Sequence, residues 1–278
     1  MFRGRKLLIA TKHQKEQVIA PVLEKALGVS CVVADQFDTD VLGTFTGEVE
    51  READPLTTAR KKCEMALELH GCDLAVASEG SFGPHPVLGF MPVDEEFLVL
   101  VDKKNNLEIT AREMSLETNF AGEVVKTEEE LLRFAENANF PSHALVLKAS
   151  KNSATNITKG ITSTAQLLAA FNSLLQHRKS VYVETDMRAM YNPTRMSVIK
   201  QLTEKLLSKI KSCCPVCETP GFGVTSVKPG LPCGACGFPS HSVLSEIYTC
   251  AKCSHTVETM YPHNKTEEDP TYCQLCNP

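Results

Sequence analysis

The sequence has no apolar run approaching the ~20 residues that a membrane-spanning helix requires, so no membrane span is expected. It has no surplus of positive charge either. Its 29 Lys and Arg stand against 34 Asp and Glu, a formal net charge of −5 at pH 7. Bulk electrostatics therefore offers no attraction to nucleic acid or to an anionic membrane. The basic start, Met1 to Lys6, is followed by apolar chain only from Leu7 to Ala10, too short for a signal-peptide core. A cytoplasmic protein is expected. Low-complexity tracts are missing, and so are internal repeats, apart from one cysteine spacing.

That spacing occurs four times: Cys214/Cys217, Cys233/Cys236, Cys250/Cys253 and Cys273/Cys276. Two residues between cysteines let both thiolates face one ion from a single tight turn, and two such turns complete a tetrahedral four-cysteine zinc site. Four turns imply two structural zinc ions. The other cysteines, Cys31, Cys63, Cys72 and Cys213, are scattered. In a reducing compartment the pairs read as metal ligands rather than disulfides. Zinc supplies folding free energy that so short a segment hardly draws from its own core.

Two connectivities are open. Consecutive use places Cys214, Cys217, Cys233 and Cys236 on one ion and Cys250, Cys253, Cys273 and Cys276 on the other. Interleaved use gives a cross-braced fold. Shorter loop closure favours consecutive use. His255, two places after Cys253, is a further ligand candidate. From Ser212 onward there is no arginine, and Lys228, Lys252 and Lys265 face Glu218, Glu246, Glu258, Glu267, Glu268 and Asp269. The footprint of a nucleic-acid-binding ribbon is missing; docking of a partner protein, or stapling of the C-terminus, fits better.

The preceding chain alternates strands and helices. Leu7 to Ala10 reads as a buried strand, Gln14 to Leu27 as a helix stopped by Gly28, and Cys31 to Val33 as a strand, so a parallel pair is expected. Asp54-Pro55 reads as an N-cap and first-turn proline of a helix that ends at Gly71. Asp73 to Ser78 is a buried strand, and the Gly- and Pro-containing stretch Glu79 to Pro86 reads as a loop. Phe97 to Val101 and Leu107 to Ala111 suggest a hairpin. Thr127 and Glu130 form a capping-box pattern. Further helices are expected from Ser163 to Leu175 and after Asn192-Pro193, with strands at His143 to Lys148 and Ser180 to Glu184. The expected architecture is α/β, a mixed sheet flanked by helices over residues 1–211, followed by a small double zinc-ribbon domain over 212–278.

In open α/β sheets, ligands bind beyond the carboxyl ends of the strands. Three strand ends carry polar clusters. Thr11-Lys12-His13-Gln14-Lys15 precedes a helix, where backbone N–H groups and Lys12 or Lys15 suit a phosphate; the bland reading is a solvated loop. Glu79 directly follows a buried strand, so its carboxylate is solvated, paired or metal-bound. Glu184 to Arg195 reads equally as a salt-bridge network around a helix start. Glu48, Glu50 and Asp54 lie between the first two clusters. They suit Mg²⁺, which takes one or two carboxylates plus substrate phosphate oxygens, or form an acidic surface loop with a helix cap.

Several of these pieces resemble the inosine/xanthosine triphosphatase superfamily: Leu8-Ile9-Ala10-Thr11 with a following lysine, Asp54-Pro55-Leu56-Thr57-Thr58-Ala59-Arg60, Asp73 to Gly80, and Lys159-Gly160-Ile161-Thr162. The likeness covers about residues 7–175. It implies an inosine triphosphatase-like fold, with Thr11 and Lys15 on phosphate and with Asp54 and Glu79 holding Mg²⁺ or orienting water for attack on a nucleoside triphosphate. The sequence departs from the usual Thr-x-Asn-x-x-Lys: His13 stands at the asparagine, and Lys15 comes one place early. The whole chain also resembles an uncharacterised bacterial family ending in paired CxxC motifs. Two functions follow as expectations: a Mg²⁺-dependent nucleotide pyrophosphohydrolase or related phosphate-ester hydrolase, or a non-enzymatic adaptor whose ribbons dock a partner.

Overall fold

The computed structural model describes residues 1–34, 53–153 and 155–278. Glu48 and Glu50 lie outside the described residues. The chain divides into two compact units, Met1–Leu207 and Ser208–Pro278.

The first unit opens with β1 (Lys6–Ala10), α1 (Glu16–Leu27) and β2 (Ser30–Val33). β1 and β2 pair in parallel, as the alternation of elements predicts. Next come α2 (Pro55–His70), β3 (Leu74–Pro84), β4 (Pro92–Asp102) and β5 (Leu107–Ser115). Their sheet has the order β2-β1-β3-β4-β5; β1 and β3 are parallel, while β4 runs antiparallel to both β3 and β5. Asp54 caps α2 through the Thr57 N–H, Pro55 occupies the first turn, and Gly71 closes the helix at φ 59°, a left-handed conformation that glycine adopts without strain. The buried residues Ala59, Cys63, Ala66 and Leu67 recur every three or four positions along α2. They pack on Leu8, Ala10, Ala75, Ala77 and Val99 of the sheet.

β3 departs from expectation. Glu79 to Pro84 is not a loop. It continues the strand and pairs with β4 as far as Pro84 opposite Pro92. Glycine and proline content argues for a turn only where no partner strand supplies hydrogen bonds. Here Pro92 to Glu96 extend β4 backward from its apolar run and complete the ladder.

A second sheet follows, built from β6 (Gly122–Val125), β7 (Leu145–Lys148), β8 (Thr158–Ile161) and β9 (Val181–Thr185) in the order β6-β9-β7-β8. The helices α3 (Glu128–Asn137) and α4 (Thr164–Leu175) bury Leu131, Phe134, Leu167 and Phe171 against Leu145, Leu147, Val181 and Val183. The capping box at Thr127 and Glu130 forms as read. The helix α5 (Pro193–Lys211) starts at Asn192, whose side-chain oxygen accepts from the Arg195 N–H, and the unit boundary falls near its end.

The second unit is a three-stranded antiparallel sheet, β10 (Gly223–Pro229), β11 (Val243–Thr249) and β12 (Thr256–Met260). No described helix is long and apolar enough to cross a membrane.

Candidate functional site

The four cysteine pairs fold into the same turn. In each, the N–H four residues after the first cysteine donates to that cysteine's carbonyl: Glu218 to Cys214, Gly237 to Cys233, Ser254 to Cys250 and Asn277 to Cys273. Glu218, Gly237 and Ser254 sit at positive φ, which turns the chain back after the second cysteine. The N–H groups of Lys252 and Cys253 point at Cys250 Sγ from 3.4 and 3.5 Å. Such donors stabilise a thiolate.

The eight sulfurs form two groups of four, each with all its sulfurs within 4.8 Å of one another. One holds Cys214, Cys217, Cys250 and Cys253; the other holds Cys233, Cys236, Cys273 and Cys276. The favoured consecutive use is therefore corrected to interleaved use. Loop closure is a weak guide, because doubling a loop costs only about 0.6 kcal/mol. Strand direction decides instead. β10 and β11 are antiparallel, with Gly223 opposite Thr249. The turn before β10 and the turn after β11 thus share one end of the sheet, and those turns carry Cys214/Cys217 and Cys250/Cys253. The hairpin of β11 and β12, with Thr249 opposite Thr256, forms as the sequence suggests.

Sulfurs 2.3 Å from a common zinc lie about 3.8 Å apart in a tetrahedron. The Cys214–Cys253, Cys217–Cys250, Cys233–Cys276 and Cys236–Cys273 Sγ separations are 3.7, 3.5, 3.9 and 3.7 Å. Both groups fit zinc in chemistry and in size. His255 belongs to neither group; its ring stacks on Phe222 with centroids 6.1 Å apart.

The first unit concentrates its buried charge beyond the end of β1, beside the middle of β3. Lys15, Lys62 and Arg195 are buried there with Glu79, Asp94 and Glu96. Lys15 Nζ donates to Ser78 Oγ at 3.0 Å. Lys62, on α2, forms an ion pair with Glu79. Arg195, on the first turn of α5, donates from Nε to Glu96 Oε1 at 2.6 Å and lies over the Phe82 ring, 5.1 Å from its centroid.

Register sorts these groups by face. Glu96 lies opposite Gly80, and Asp94 opposite Phe82. Side chains alternate along a strand. Ser78, Gly80, Phe82, Asp94 and Glu96 therefore share one face, and Glu79 takes the other, against α2. A Cβ at Gly80 would come within 3.0 Å of both Glu96 Oε1 and Arg195 Nη2, so only glycine leaves room for this ion pair.

Burial is the main cause that pulls the Lys15 ammonium down to about 8, and Arg195 adds to it. Burial, followed by the Glu96 charge, pushes the Asp94 carboxyl up to about 8. Both Asp94 oxygens and Glu96 Oε2 are buried, and no other group among the described residues donates to them.

The residues singled out from sequence fall as follows. Lys15 and Glu79 belong to the buried cluster, on the Ser78 edge and on the α2 face. Thr11 Oγ1 donates to the Lys12 carbonyl at 2.9 Å, and Lys12 is exposed. His13 and Gln14 have φ of 70° and 62°, left-handed values that cost non-glycine residues energy. Asp54 is exposed and engaged by the Thr57 N–H and hydroxyl, which hold its carboxyl below the usual range. Eight residues of α2, about 12 Å of rise, separate it from Lys62.

Lys62, Asp94 and Glu96 were not foreseen. A signal existed for the last two. The buried alternation of Leu98 and Leu100, continued backward by steps of two, passes through Glu96 and Asp94. Glu184 to Arg195, read equally as a salt-bridge network and as a binding element, carries ion pairs: Glu184 pairs with Lys148 at 2.7 Å, and Asp186 with Arg188 at 2.6 Å.

A pH dependence follows. A folded carboxyl raised from 3.8 to about 8 binds more protons than the unfolded one across that window, so stability falls as pH rises through it. A lysine lowered from 10.5 to about 8 has the opposite effect above pH 8. In buffer free of magnesium and manganese, the melting temperature of the first unit should fall from pH 5 to pH 8, and Asp94→Asn should flatten that decline. An unchanged slope in the variant would assign it to other groups.

No curated protein matches the chain. Residues 62–278 match the family described as Domain of unknown function (DUF6671), a span that takes in Lys62, Glu79, Asp94, Glu96, Arg195 and all eight paired cysteines, and the chain belongs to that family.

Proposed function

We propose that this protein holds two structural zinc ions in its second unit and that its first unit is a divalent-metal-dependent hydrolase of nucleoside triphosphates, of the pyrophosphohydrolase kind. The carrying observation is the gathering of three buried cations and three buried carboxylates, on both faces of the sheet, beyond the end of β1 and beside the middle of β3. Burying so many ionisable groups is costly, and perturbed ionisable groups gathered together are a recognised mark of functional sites. The likeness of residues 7–175 to the inosine/xanthosine triphosphatase superfamily supports the same reading.

Each group then has a task. The Thr11–Lys15 loop lies before α1, where backbone N–H groups and the Lys12 and Lys15 charges receive phosphate oxygens. Glu79, ion-paired with Lys62 on the α2 face, fixes the segment of β3 that presents Ser78 to Lys15, and so acts as a positioning residue. Bound Mg²⁺ supplies Lewis-acid polarisation of the phosphate. Asp54, committed to capping α2, keeps the entrance of that helix in position, and the reading rests on Glu79 rather than on Asp54.

The test is pyrophosphate release from a panel of nucleoside triphosphates with and without Mg²⁺. Glu79→Gln should lower kcat by about 10²-fold through misplacement of Ser78 and Lys15, with the zinc content unchanged. Absence of turnover on every nucleotide, or full turnover by Glu79→Gln, would remove the proposal.

One observation favours a second reading, an adaptor. β12 is exposed along its whole length at the edge of its sheet, with Val257 and Met260 open to solvent. An uncovered edge strand is a template for pairing with another chain. A binding partner lost on Val257→Lys/Met260→Lys, at constant zinc content, would support it.

A further inference from the structure

We infer that Asp94 and Glu96 form a divalent-cation site on the sheet face away from α2, completed by oxygens of a phosphate-bearing ligand whose negative charge Lys15 and Arg195 meet. The phosphate-bearing ligand rests on the hydrolase reading; the cation site stands on its own geometry.

Three carboxylate oxygens carry the argument. Both oxygens of Asp94 and Oε2 of Glu96 are buried, and no other group among the described residues donates to them; the two carboxyls lie within hydrogen-bond reach of each other. Both side chains are 0 % exposed. Buried acceptors are nearly always satisfied, so a group of orphans calls for a missing partner. Asp94 makes no ion pair among the described residues, although it lies two places from Glu96 on the same strand face. Two adjacent carboxylates sharing a dry site repel each other unless a cation or a proton lies between them.

The surroundings orient these oxygens. Arg195 occupies Glu96 Oε1 at 2.6 Å, which leaves Oε2 on the side of Asp94. Gly80, opposite Glu96, adds no side chain to this space, and Phe82, opposite Asp94, stacks under Arg195. Lys15 is anchored to Ser78 on the same face of β3. All-oxygen donors select a hard cation such as Mg²⁺ or Mn²⁺ over zinc. Mg²⁺ characteristically takes one or two carboxylates and fills its remaining positions with water and substrate phosphate. With Lys15 and Arg195 close by, a bound cation adds positive charge that an anionic ligand then balances. The Glu79–Lys62 pair lies on the opposite face and is no part of this site.

The probe is Mn²⁺, added to the full-length, zinc-loaded chain. Paramagnetic broadening in the wild-type protein is expected to centre on the amides of Asp94 to Glu96 and Gly80 to Phe82. Asp94→Asn should weaken Mn²⁺ binding, measured by titration, by at least about tenfold, with two zinc ions retained. Broadening centred on exposed carboxylates, no broadening at millimolar Mn²⁺, or unchanged Mn²⁺ affinity in a folded Asp94→Asn variant would each overturn the site. Nucleotide turnover is measured in parallel. Mn²⁺ bound at Asp94 without any turnover keeps the site and removes the hydrolase. Full turnover by Asp94→Asn keeps the hydrolase and removes the site.

Discussion

The double variant Cys217→Ala/Cys250→Ala is expected to retain one zinc ion per chain, whereas Cys217→Ala/Cys233→Ala is expected to retain none. Cys217 and Cys250 belong to one four-sulfur group, so their joint loss leaves the other group with all its ligands. Cys217 and Cys233 belong to different groups, and their loss leaves each with three sulfurs. Consecutive connectivity predicts the reverse. Both variants lose two thiolates, so general damage to the sheet affects them alike, and only connectivity separates them. The effect is large because a structural zinc site contributes about 10–16 kcal/mol of apparent binding free energy. The second unit has little else to fold on. β10 and β12 are exposed along most of their length. Its buried residues include one cysteine from each pair, Cys214, Cys233, Cys250 and Cys273. Zinc counted by a colorimetric chelator after denaturation, with far-ultraviolet spectra as a control, checks the result.

Arg195→Met should destabilise the first unit by about 3–5 kcal/mol, a fall in melting temperature of roughly 6–20 °C for a unit of this size. The guanidinium is 1 % exposed, binds Glu96 and the Met187 carbonyl, and covers Phe82. Its removal leaves Glu96 beside Asp94 in a dry site with no counter-charge on α5. The companion Arg195→Met/Glu96→Met is expected to recover most of the loss, because a buried ion pair often exchanges for apolar side chains at little net cost. If the double variant is as unstable as the sum of the singles, the ion pair is not the reason. Gly80→Ala should act on the same pair, since its methyl group claims the space of Glu96 Oε1 and Arg195 Nη2. About 1–3 kcal/mol is expected, the usual cost of overpacking. Hydrogen exchange along β4 separates these local effects from unfolding of the second unit.

The legible parts of this chain were those whose chemistry is written in adjacent residues. Asp54-Pro55, Thr127 with Glu130, Ser163 with Gln166, and Asn192-Pro193 each mark a helix start with a side chain and the N–H it bonds, three places on. Gly28 and Gly71 mark helix ends because the left-handed turn favours glycine. The CxxC turns are local in the same sense, since each closes its own hydrogen bond within five residues.

What lay beyond that range was misread or missed. Glu79 to Pro84 read as a loop because the hydrogen bonds that make it a strand come from Pro92 to Glu96. The partner of Glu79 is Lys62, seventeen residues away on α2, and the partner of Glu96 is Arg195, ninety-nine residues away on α5.

By itself the sequence determined how many cysteine turns there are, that each presents two sulfurs, and where the helices begin and end. The tertiary structure alone decided which turns meet in one four-sulfur group. Direction in an antiparallel sheet, rather than distance along the chain, sets which turns meet. It likewise decided which face of the sheet holds Glu79 and which holds Asp94 and Glu96. Strand register assigns every side chain to a face, and register exists only once the strands have paired.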